Sequence, residues 1–422
     1  MRYFTITMIF LALVSACSTE QSAGNDLSDE GADAIYMDRF EAQAERRRQG
    51  LQGISAYDPL EPVAGAEQVA PLPLSPAVSA NMLNAIKDTR RYASERDSSA
   101  LLVWHSGALI EASYFGATTR DSLINAKSLA KPLGAIAIGT AIARGHIKSL
   151  DQSAADFFNE WQGSDKEQIT VRHLLGMRSG LLPQDFVSDP THILNRVYLH
   201  PKHDDLLISD YPLTHTPGTV YEYSNANGEL IGPLIERATG QSYQDWVSQH
   251  VLKPMGASGG DIWVNRQGGT AHSGCCILLP AETYIRLAVL LLEDGMIGQS
   301  RLLPAGFVEE MRTVDSLNPH AGLGVFQGHP FAELRGSFNP ETVPNQETFH
   351  SEPYATDDIF LFDGNGNQVI YIMPELDLVV ARFGGTPPEA TGWDNAFLPN
   401  AIIRGLAPDP DVQSDDTEET QQ

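Results

Sequence analysis

The run from Leu133 to Ala143 constrains the fold of this chain most strongly, because it is apolar on every side and interrupted only by small residues. A helix without a polar face is stable only when it is buried all round. Pro132 has no backbone N–H, so it fits only in the first turn of that helix. The sequence therefore predicts a buried central helix that begins close to Ser128.

Ser128 and Lys131 stand at the start of this predicted helix. The serine hydroxyl would lie beside unpaired backbone N–H groups and the positive end of the helix dipole. Lys131, three residues later, projects from the same face and can reach that hydroxyl. An N-cap is the ordinary role of such a serine, but a lysine that enters a buried helix is hard to explain as solvated surface. Ser-x-x-Lys therefore indicates a nucleophile with an adjacent base, with the N-cap as the alternative.

Composition describes a globular chain with a large core. It has 422 residues, of which 42% are hydrophobic and 19% charged, which is typical of folded domains. The formal net charge of −26 argues against nucleic-acid binding and against electrostatic docking on anionic lipid, since both require basic surfaces.

The first residues read as a targeting segment. Phe4–Ala16 is an apolar run that is too short to cross a bilayer. Small residues precede Cys17, and this pattern resembles the lipobox of bacterial lipoproteins, in which the cysteine is acylated after cleavage of the signal peptide (here residues 1–16). An ordinary cleaved signal peptide is the alternative. Ser18 after the cysteine implies, by the same resemblance, an outer-membrane lipoprotein that faces the periplasm.

Two polar segments flank the main body of the sequence. Residues 17–73 are predicted to be a polar tether, in which Glu41–Arg48 could be helical. Residues 406–422 are acidic and almost free of apolar side chains, which predicts a disordered tail.

The strand pattern predicts an antiparallel sheet built from both ends of the chain. Ala100–Trp104 and Ala108–Ala112 form a hairpin pattern, and short turns join three late strands at Ile359–Phe362, Val369–Met373 and Leu378–Ala381. The fold class is therefore α/β (α+β), an antiparallel sheet flanked by helices with an inserted, mostly helical domain. The predicted boundaries are 74–145 with 300–405 for the sheet domain and 146–299 for the insertion.

Neither the remaining cysteines nor the histidines give a clear metal or redox signal. Cys275 and Cys276 are adjacent and cannot form a disulfide without strain, so two buried thiols are favoured over a vicinal bridge. The His200–Asp205 segment matches no standard zinc spacing and contains a proline, which favours a polar loop. We expect no metal and no cofactor.

Three short motifs follow one another in a meaningful order. Ser128-x-x-Lys131 precedes Tyr223-x-Asn225, and a glycine-bearing turn at Gly364–Asn367 leads into a late strand. This order resembles the penicillin-recognising serine hydrolases, in particular the branch of class C β-lactamases, D-alanyl-D-alanine carboxypeptidases, family VIII carboxylesterases and 6-aminohexanoate-dimer hydrolases. The resemblance extends to further segments: Ile169–Leu175, Ser179–Leu181, Pro217–Gly218 and Pro374–Val380.

The resemblance implies a role for each motif. Lys131 and Tyr223 would together take the proton of Ser128, Tyr223 would pass it to the leaving group, and Asn225 would orient Lys131 or the substrate amide. A lysine can act so only where burial or nearby positive charge favours its neutral amine. Tyr223 could instead be a loop tyrosine, with Tyr221 as the other candidate, and Asn225 a turn residue.

The third motif departs from the β-lactamase pattern. Those enzymes carry Lys-Thr-Gly or His-Thr-Gly there, whereas this chain has neither Lys nor His and looks more like the Asn-Gly-Gly-Gln form, with Asn367 at the second glycine. The implied substrate and oxyanion contacts are Asn365, Gly366 and Gln368, together with the Ser128 N–H. We therefore expect an acyl-enzyme hydrolase of esters or short linear amides. The alternatives are a carboxypeptidase or weak β-lactamase, and a non-catalytic β-lactam- or peptidoglycan-binding protein.

Overall fold

The computed structural model describes residues 27–51, 54, 56–75, 78–125, 127–183, 186–337 and 347–408. The predicted signal peptide, Cys17 and the residues from 409 onward, which belong to the predicted acidic tail, lie outside these ranges. No described helix has the length and apolar character required to cross a membrane.

Helices cover both ends and the middle of the described chain. Their bounds are α1 Asp29–Arg48, α2 Ala80–Ser94, α3 Ala130–Ala143, α4 Val171–Leu175, α5 Ile193–Leu199, α6 His203–Ser209, α7 Asn225–Glu229, α8 Ile231–Thr239, α9 Tyr243–Val247, α10 Ala281–Leu292, α11 Phe307–Arg312 and α12 Phe397–Gly405.

The strands group into one large sheet and several small ones. Their bounds are β1 Leu60–Val63, β2 Ser98–His105, β3 Ala108–Tyr114, β4 Ile124–Asn125, β5 Gly260–Trp263, β6 Ile277–Leu279, β7 Met296–Ile297, β8 Ser300–Arg301, β9 Phe326–Gln327, β10 Leu334–Arg335, β11 Thr348–Phe349, β12 Phe360–Gly364, β13 Gln368–Met373 and β14 Leu378–Gly384.

The main sheet has six strands in the order β3-β2-β14-β13-β12-β9, and every neighbouring pair is antiparallel. The first hairpin joins the late strands through β2 and β14, where Val103 faces Val380. This arrangement confirms the predicted antiparallel sheet built from both ends of the chain.

Alternate side chains of the sheet enter two different cores, as the period of a strand requires. Leu101 and Val103 belong to the core that also contains buried residues of α2 and α12. Leu102 and Trp104 belong to the larger core, which includes most of α3. Helix α3 is therefore buried between the sheet and the helical region, as its apolar surface predicted.

The predicted tether is wrong for its described part. Helix α1 buries Tyr36 and Phe40, and the Tyr36 hydroxyl donates a hydrogen bond to the Pro190 carbonyl oxygen at 2.5 Å. Strand β1 pairs with β5 along its whole length. Few side chains of α1 are buried, so its polar composition conceals the apolar stripe that attaches it to the protein.

Two further segments differ from the predicted boundaries. Helix α10, placed in the inserted domain, contacts strands β2, β13 and β14 of the main sheet. The segment read as a polar loop at His200–Asp205 contains the start of α6, where His203 is fully buried. Its burial depends on neighbours that are distant in the sequence, which local spacing does not reveal.

Candidate active site

Ser128 lies in a 3-10 turn, Lys127–Leu129, that leads directly into α3. Leu129 occupies the N-cap of α3, and no side chain caps it, so the N-cap alternative for Ser128 does not apply. Lys127 has a φ of 53°, which is an unfavourable conformation for a lysine. The Asn125 side chain supports this turn by accepting a hydrogen bond from the Lys127 N–H at 3.1 Å.

The amino group of Lys131 lies within hydrogen-bond distance of three oxygens. Its Nζ lies 3.0 Å from Ser128 Oγ, 2.8 Å from Asn225 Oδ1 and 2.8 Å from the Gly274 carbonyl oxygen. Three acceptors therefore surround the amino group. The side chain is only 6% exposed, which excludes a solvated surface lysine.

Tyr223 is the tyrosine beside this lysine. Lys131 Nζ lies 4.9 Å from the centre of the Tyr223 ring, and both residues line the same cavity. The hydroxyl of Tyr221 instead donates to the Ser337 carbonyl oxygen at 2.5 Å, and burial raises its pKa. The geometry therefore favours Tyr223 over Tyr221 as the partner of Lys131.

A small cavity opens onto Ser128. Its walls are mostly apolar, and the charged side chains among them are Lys131 and Asp363. The lining residues are Ser128, Lys131, Leu175, Met177, Tyr221, Tyr223, Ala321, Gly322, Gly324, Val325, Phe326 and Asp363. Ser128 and Lys131 therefore face a mostly apolar cavity.

The third motif does not meet the cavity at the predicted residues. Asn365 is exposed in the turn between β12 and β13, and neither it nor Gly366 nor Gln368 belongs to the lining. Gln368 is buried and donates from Nε2 to the Asn125 carbonyl oxygen at 3.1 Å. Gln368 therefore supports the segment that precedes Ser128, and the substrate contacts assigned to Asn365, Gly366 and Gln368 stay predictions.

Asp363 is the residue of this motif that lines the cavity. The sequence did not predict Asp363 as a site residue. Strand β12 contacts the Lys127–Leu129 turn. Burial raises the pKa of Asp363 to about 6, although the nearby charge of Arg335 and the Gly364 N–H act in the opposite direction. In this motif, where β-lactamases carry Lys or His, this chain therefore has the carboxyl group of Asp363.

Gly274 and the residues after it were not predicted to belong to the site. The Gly274 carbonyl is an acceptor for Lys131, and the next two residues, Cys275 and Cys276, are joined by a disulfide. The preference for two free thiols is therefore wrong in this structure. Adjacent cysteines are seldom bridged, because the peptide between them must adapt, and no residue type in the sequence indicates that adaptation.

A buried group of possible metal ligands lies behind Lys131. His203, Glu229 and His272 come from separate segments, and their nitrogen and oxygen atoms lie within 4.8 Å of one another. The prediction of a polar loop at His203 did not anticipate this cluster.

Comparison with known proteins places the chain in a family. The model of the family described as Beta-lactamase matches residues 88–396. The esterase EstB of Burkholderia gladioli is 30% identical over 148 residues, which cover 32% of this chain and 37% of EstB. The matches with the curated relatives cover only 17% to 37% of the relatives' own length.

Solved structures share the fold over most of the chain. A protein from Bacillus anthracis that is described as a 6-aminohexanoate-dimer hydrolase has a TM-score of 0.62 at 17% identity. The match covers 89% of the present chain and 94% of the Bacillus anthracis chain. A family VIII carboxylesterase has a TM-score of 0.57 at 17% identity, covering 78% and 99%. Because the family model spans well over half of the sequence and the fold agrees, this chain belongs to the beta-lactamase family of serine hydrolases.

Proposed function

We propose that this protein hydrolyses carboxylic esters or short linear amides through an acyl-enzyme on Ser128. The observation that carries this proposal is the convergence of Ser128 Oγ, Asn225 Oδ1 and the Gly274 carbonyl on one buried lysine. A serine hydroxyl becomes a strong nucleophile when an adjacent base removes its proton. Lys131 is within hydrogen-bond reach of that proton, which is the geometric requirement for a base.

Each chemical step then has a group in place. Lys131, assisted by Tyr223, accepts the Ser128 proton while Oγ attacks the substrate carbonyl. The Ser128 N–H and a backbone N–H of the neighbouring strand β12 would hold the oxyanion, and loss of one such donor typically costs about 10²–10³ in rate. Tyr223 would deliver the proton to the leaving group. Water, activated by the same pair, would release the acyl group and regenerate Ser128.

The first experiment is hydrolysis of p-nitrophenyl butyrate and of nitrocefin, with the intact mass recorded after each incubation. We expect ester turnover and little nitrocefin turnover. A stable β-lactam adduct without turnover of any ester would instead support a binding protein. Rapid nitrocefin turnover would support a β-lactamase and contradict the assignment to esters and linear amides.

Asp363 should select against anionic acyl groups. With a pKa raised to about 6, its carboxyl group is neutral below that pH and ionised above it. The ratio of kcat/KM for p-nitrophenyl butyrate to that for the p-nitrophenyl monoester of succinate should therefore rise between pH 5 and pH 8. At pH 8 we expect Asp363→Asn to lower this ratio by about tenfold, the effect of roughly 1.4 kcal/mol.

A matched control for this prediction is Asp357→Asn, since Asp357 is a fully exposed carboxylate. This variant should leave the ratio unchanged. A ratio that does not depend on pH in the wild-type protein would contradict the role of Asp363 in selectivity.

We further propose that Cys17 carries a lipid that holds the protein at the outer membrane, facing the periplasm. The lipobox-like sequence before Cys17 supports this proposal, and two or more acyl chains suffice for stable anchoring. In a bacterial host, the full-length protein should incorporate labelled palmitate and sediment with membranes. Cys17→Ser should lose both properties. Palmitate labelling and membrane sedimentation that persist in Cys17→Ser would contradict the anchor.

A further inference from the structure

Three polar side chains meet in the interior of the protein, behind Lys131. They are His203 on α6, Glu229 at the end of α7 and His272 after β5, and each of them is 0% exposed; we call them the buried triad. One ligand atom of each side chain lies within 4.8 Å of the other two. None of the three residues lines the cavity at Ser128, so the buried triad is separate from the candidate active site.

The polar atoms of the buried triad are poorly satisfied by the rest of the described chain. Neither carboxylate oxygen of Glu229 and none of the four ring nitrogens of His203 and His272 makes a hydrogen bond of normal geometry there. Burial of such atoms costs free energy, so native proteins rarely keep them without a function, a water or an ion. A buried water makes at most about four hydrogen bonds, which is fewer than these six atoms require.

The residue types and their spacing fit a zinc site. Two imidazoles and one carboxylate are an established ligand set for zinc, which then keeps its fourth position for a water. Tetrahedral bonds of about 2.0–2.1 Å place two ligand atoms about 3.4 Å apart. Glu229 Oε2 lies 3.2 Å from His272 Nδ1 and 3.7 Å from His203 Nε2, so the carboxyl group already has this spacing to both rings.

The buried triad is built into the two segments that surround the amino group of Lys131. Glu229 ends α7, the short helix that begins at Asn225, and His272 stands two residues before Gly274. The Gly274 N–H faces the Glu229 carboxyl group, and a Cβ on Gly274 would lie 2.9 Å from Glu229 Oε1. Glycine therefore leaves the space beside this carboxyl group free of a side chain, and an ion there would join both segments.

We propose that the buried triad binds one zinc ion, with His203, Glu229 and His272 as protein ligands and a water as the fourth ligand. The ion compensates the charge of the buried carboxylate and takes up one polar atom from each side chain. It ties α6, α7 and the segment after β5 together, so its role is to stabilise the fold. The acyl-enzyme chemistry at Ser128 does not require the ion, and this proposal therefore stands apart from the proposed function.

One ring must turn for both imidazoles to bind the same ion. The His203 and His272 rings are stacked, with centres 4.2 Å apart and planes inclined by 14°, and the lone pairs of imidazole lie in the ring plane. Trp263 stacks on His272 with centres 3.6 Å apart and holds that ring in place. We therefore expect the His203 ring to leave the stack when zinc binds, by rotation about its side-chain bonds.

The first test measures zinc in the full-length protein, purified in detergent without a histidine tag. After dialysis, elemental analysis by plasma mass spectrometry should find one zinc ion per chain, and native mass spectrometry should find it on the folded protein. His203→Ala and Glu229→Gln should each lower the zinc affinity by at least about 100-fold, because even groups that only orient a metal ligand contribute about 10–100-fold.

A matched control is His350→Ala. His350 is also a buried histidine, but its Nε2 lies 3.2 Å from Arg335 Nη2 and 3.3 Å from the Tyr354 hydroxyl. Within the described ranges it belongs to no group of possible metal ligands. This variant should keep the zinc content of the wild-type protein.

A second test needs no variant. Removal of zinc by 1,10-phenanthroline should lower the thermal unfolding midpoint of the wild-type protein, because an ion that binds only the folded state stabilises it by mass action. Added zinc should restore the midpoint, and added magnesium, which prefers oxygen ligands, should not. The cobalt-substituted protein should show the visible d–d absorption of tetrahedral Co²⁺.

Several outcomes overturn the inference. A wild-type protein that holds no metal after dialysis against equimolar zinc does so, and so does full zinc content in folded His203→Ala and Glu229→Gln. A stoichiometric metal other than zinc overturns the identity of the ion. If both variants fail to fold, the chelation and cobalt experiments on the wild-type protein decide. Zinc-loaded protein that hydrolyses no ester overturns the proposed function alone, whereas ester hydrolysis by a protein that binds no zinc overturns this inference alone.

Discussion

Replacement of Ser128 by alanine should abolish ester hydrolysis, with a loss in kcat of at least about 10³-fold. The hydroxyl is the group to which Lys131 donates at 3.0 Å, and alanine offers no atom that could form the acyl bond. The fold should be retained, because Ser128 is only partly buried and does not cap α3. The measurement is p-nitrophenyl butyrate turnover together with the thermal unfolding midpoint of each variant.

Active-site labelling makes this expectation sharper. A fluorophosphonate should add one phosphonyl group to the wild-type protein and none to Ser128→Ala, as read by intact mass. Ser94→Ala is a suitable control, since Ser94 lies at the end of α2 and its hydroxyl donates to the Arg91 carbonyl oxygen on the surface. Turnover or labelling that persists in Ser128→Ala would show that another residue is the nucleophile.

The parts of the site that lie close in sequence could be predicted from the sequence. Ser128 and Lys131 are one helical turn apart, so their contact follows from the position of Pro132 and the geometry of the helix start. Tyr223 and Asn225 were predicted from the order of the motifs and not from local helix geometry. Their approach to Lys131 needs the whole core to be assembled.

The rest depends on where the strands end and on long-range packing. In the third motif, Asp363 and not Asn365 lines the cavity, because Asp363 lies in strand β12, which contacts the Lys127–Leu129 turn, whereas Asn365 lies in the exposed turn that follows. The Gly274 carbonyl is a backbone group, so no residue type reveals it. The partners of Glu229 come from positions 203 and 272, and the sequence alone gives no reason to combine them.

The fold was predicted best where apolar patterns are long. Helix α3 and the strands β13 and β14 carry continuous apolar runs, and each lies in the core as expected. Helix α1 carries few buried residues among many charges, so its pattern resembled that of a solvated tether. Its attachment depends on contacts such as Tyr36 with Pro190, which become visible only in three dimensions.

Lys131→Met should lower kcat/KM for p-nitrophenyl butyrate by about 10²–10⁴-fold, the usual contribution of a general base. Methionine keeps most of the volume of the side chain but cannot take the Ser128 proton. It also leaves Asn225 Oδ1 and the Gly274 carbonyl oxygen without their donor, which should cost about 1–3 kcal/mol of stability. Activity must therefore be measured well below the unfolding midpoint of the variant.

Two companion variants distinguish a base from a mere positive charge. Lys127→Met removes a lysine from the same turn that makes none of these contacts to Ser128, so it should keep most of the activity. Lys131→Arg keeps a cation, but a guanidinium does not lose its proton in proteins, so this variant should be as inactive as Lys131→Met. If folded Lys131→Arg retained near-wild-type turnover, the lysine would act by its charge alone, and the proton of Ser128 would have to go to Tyr223.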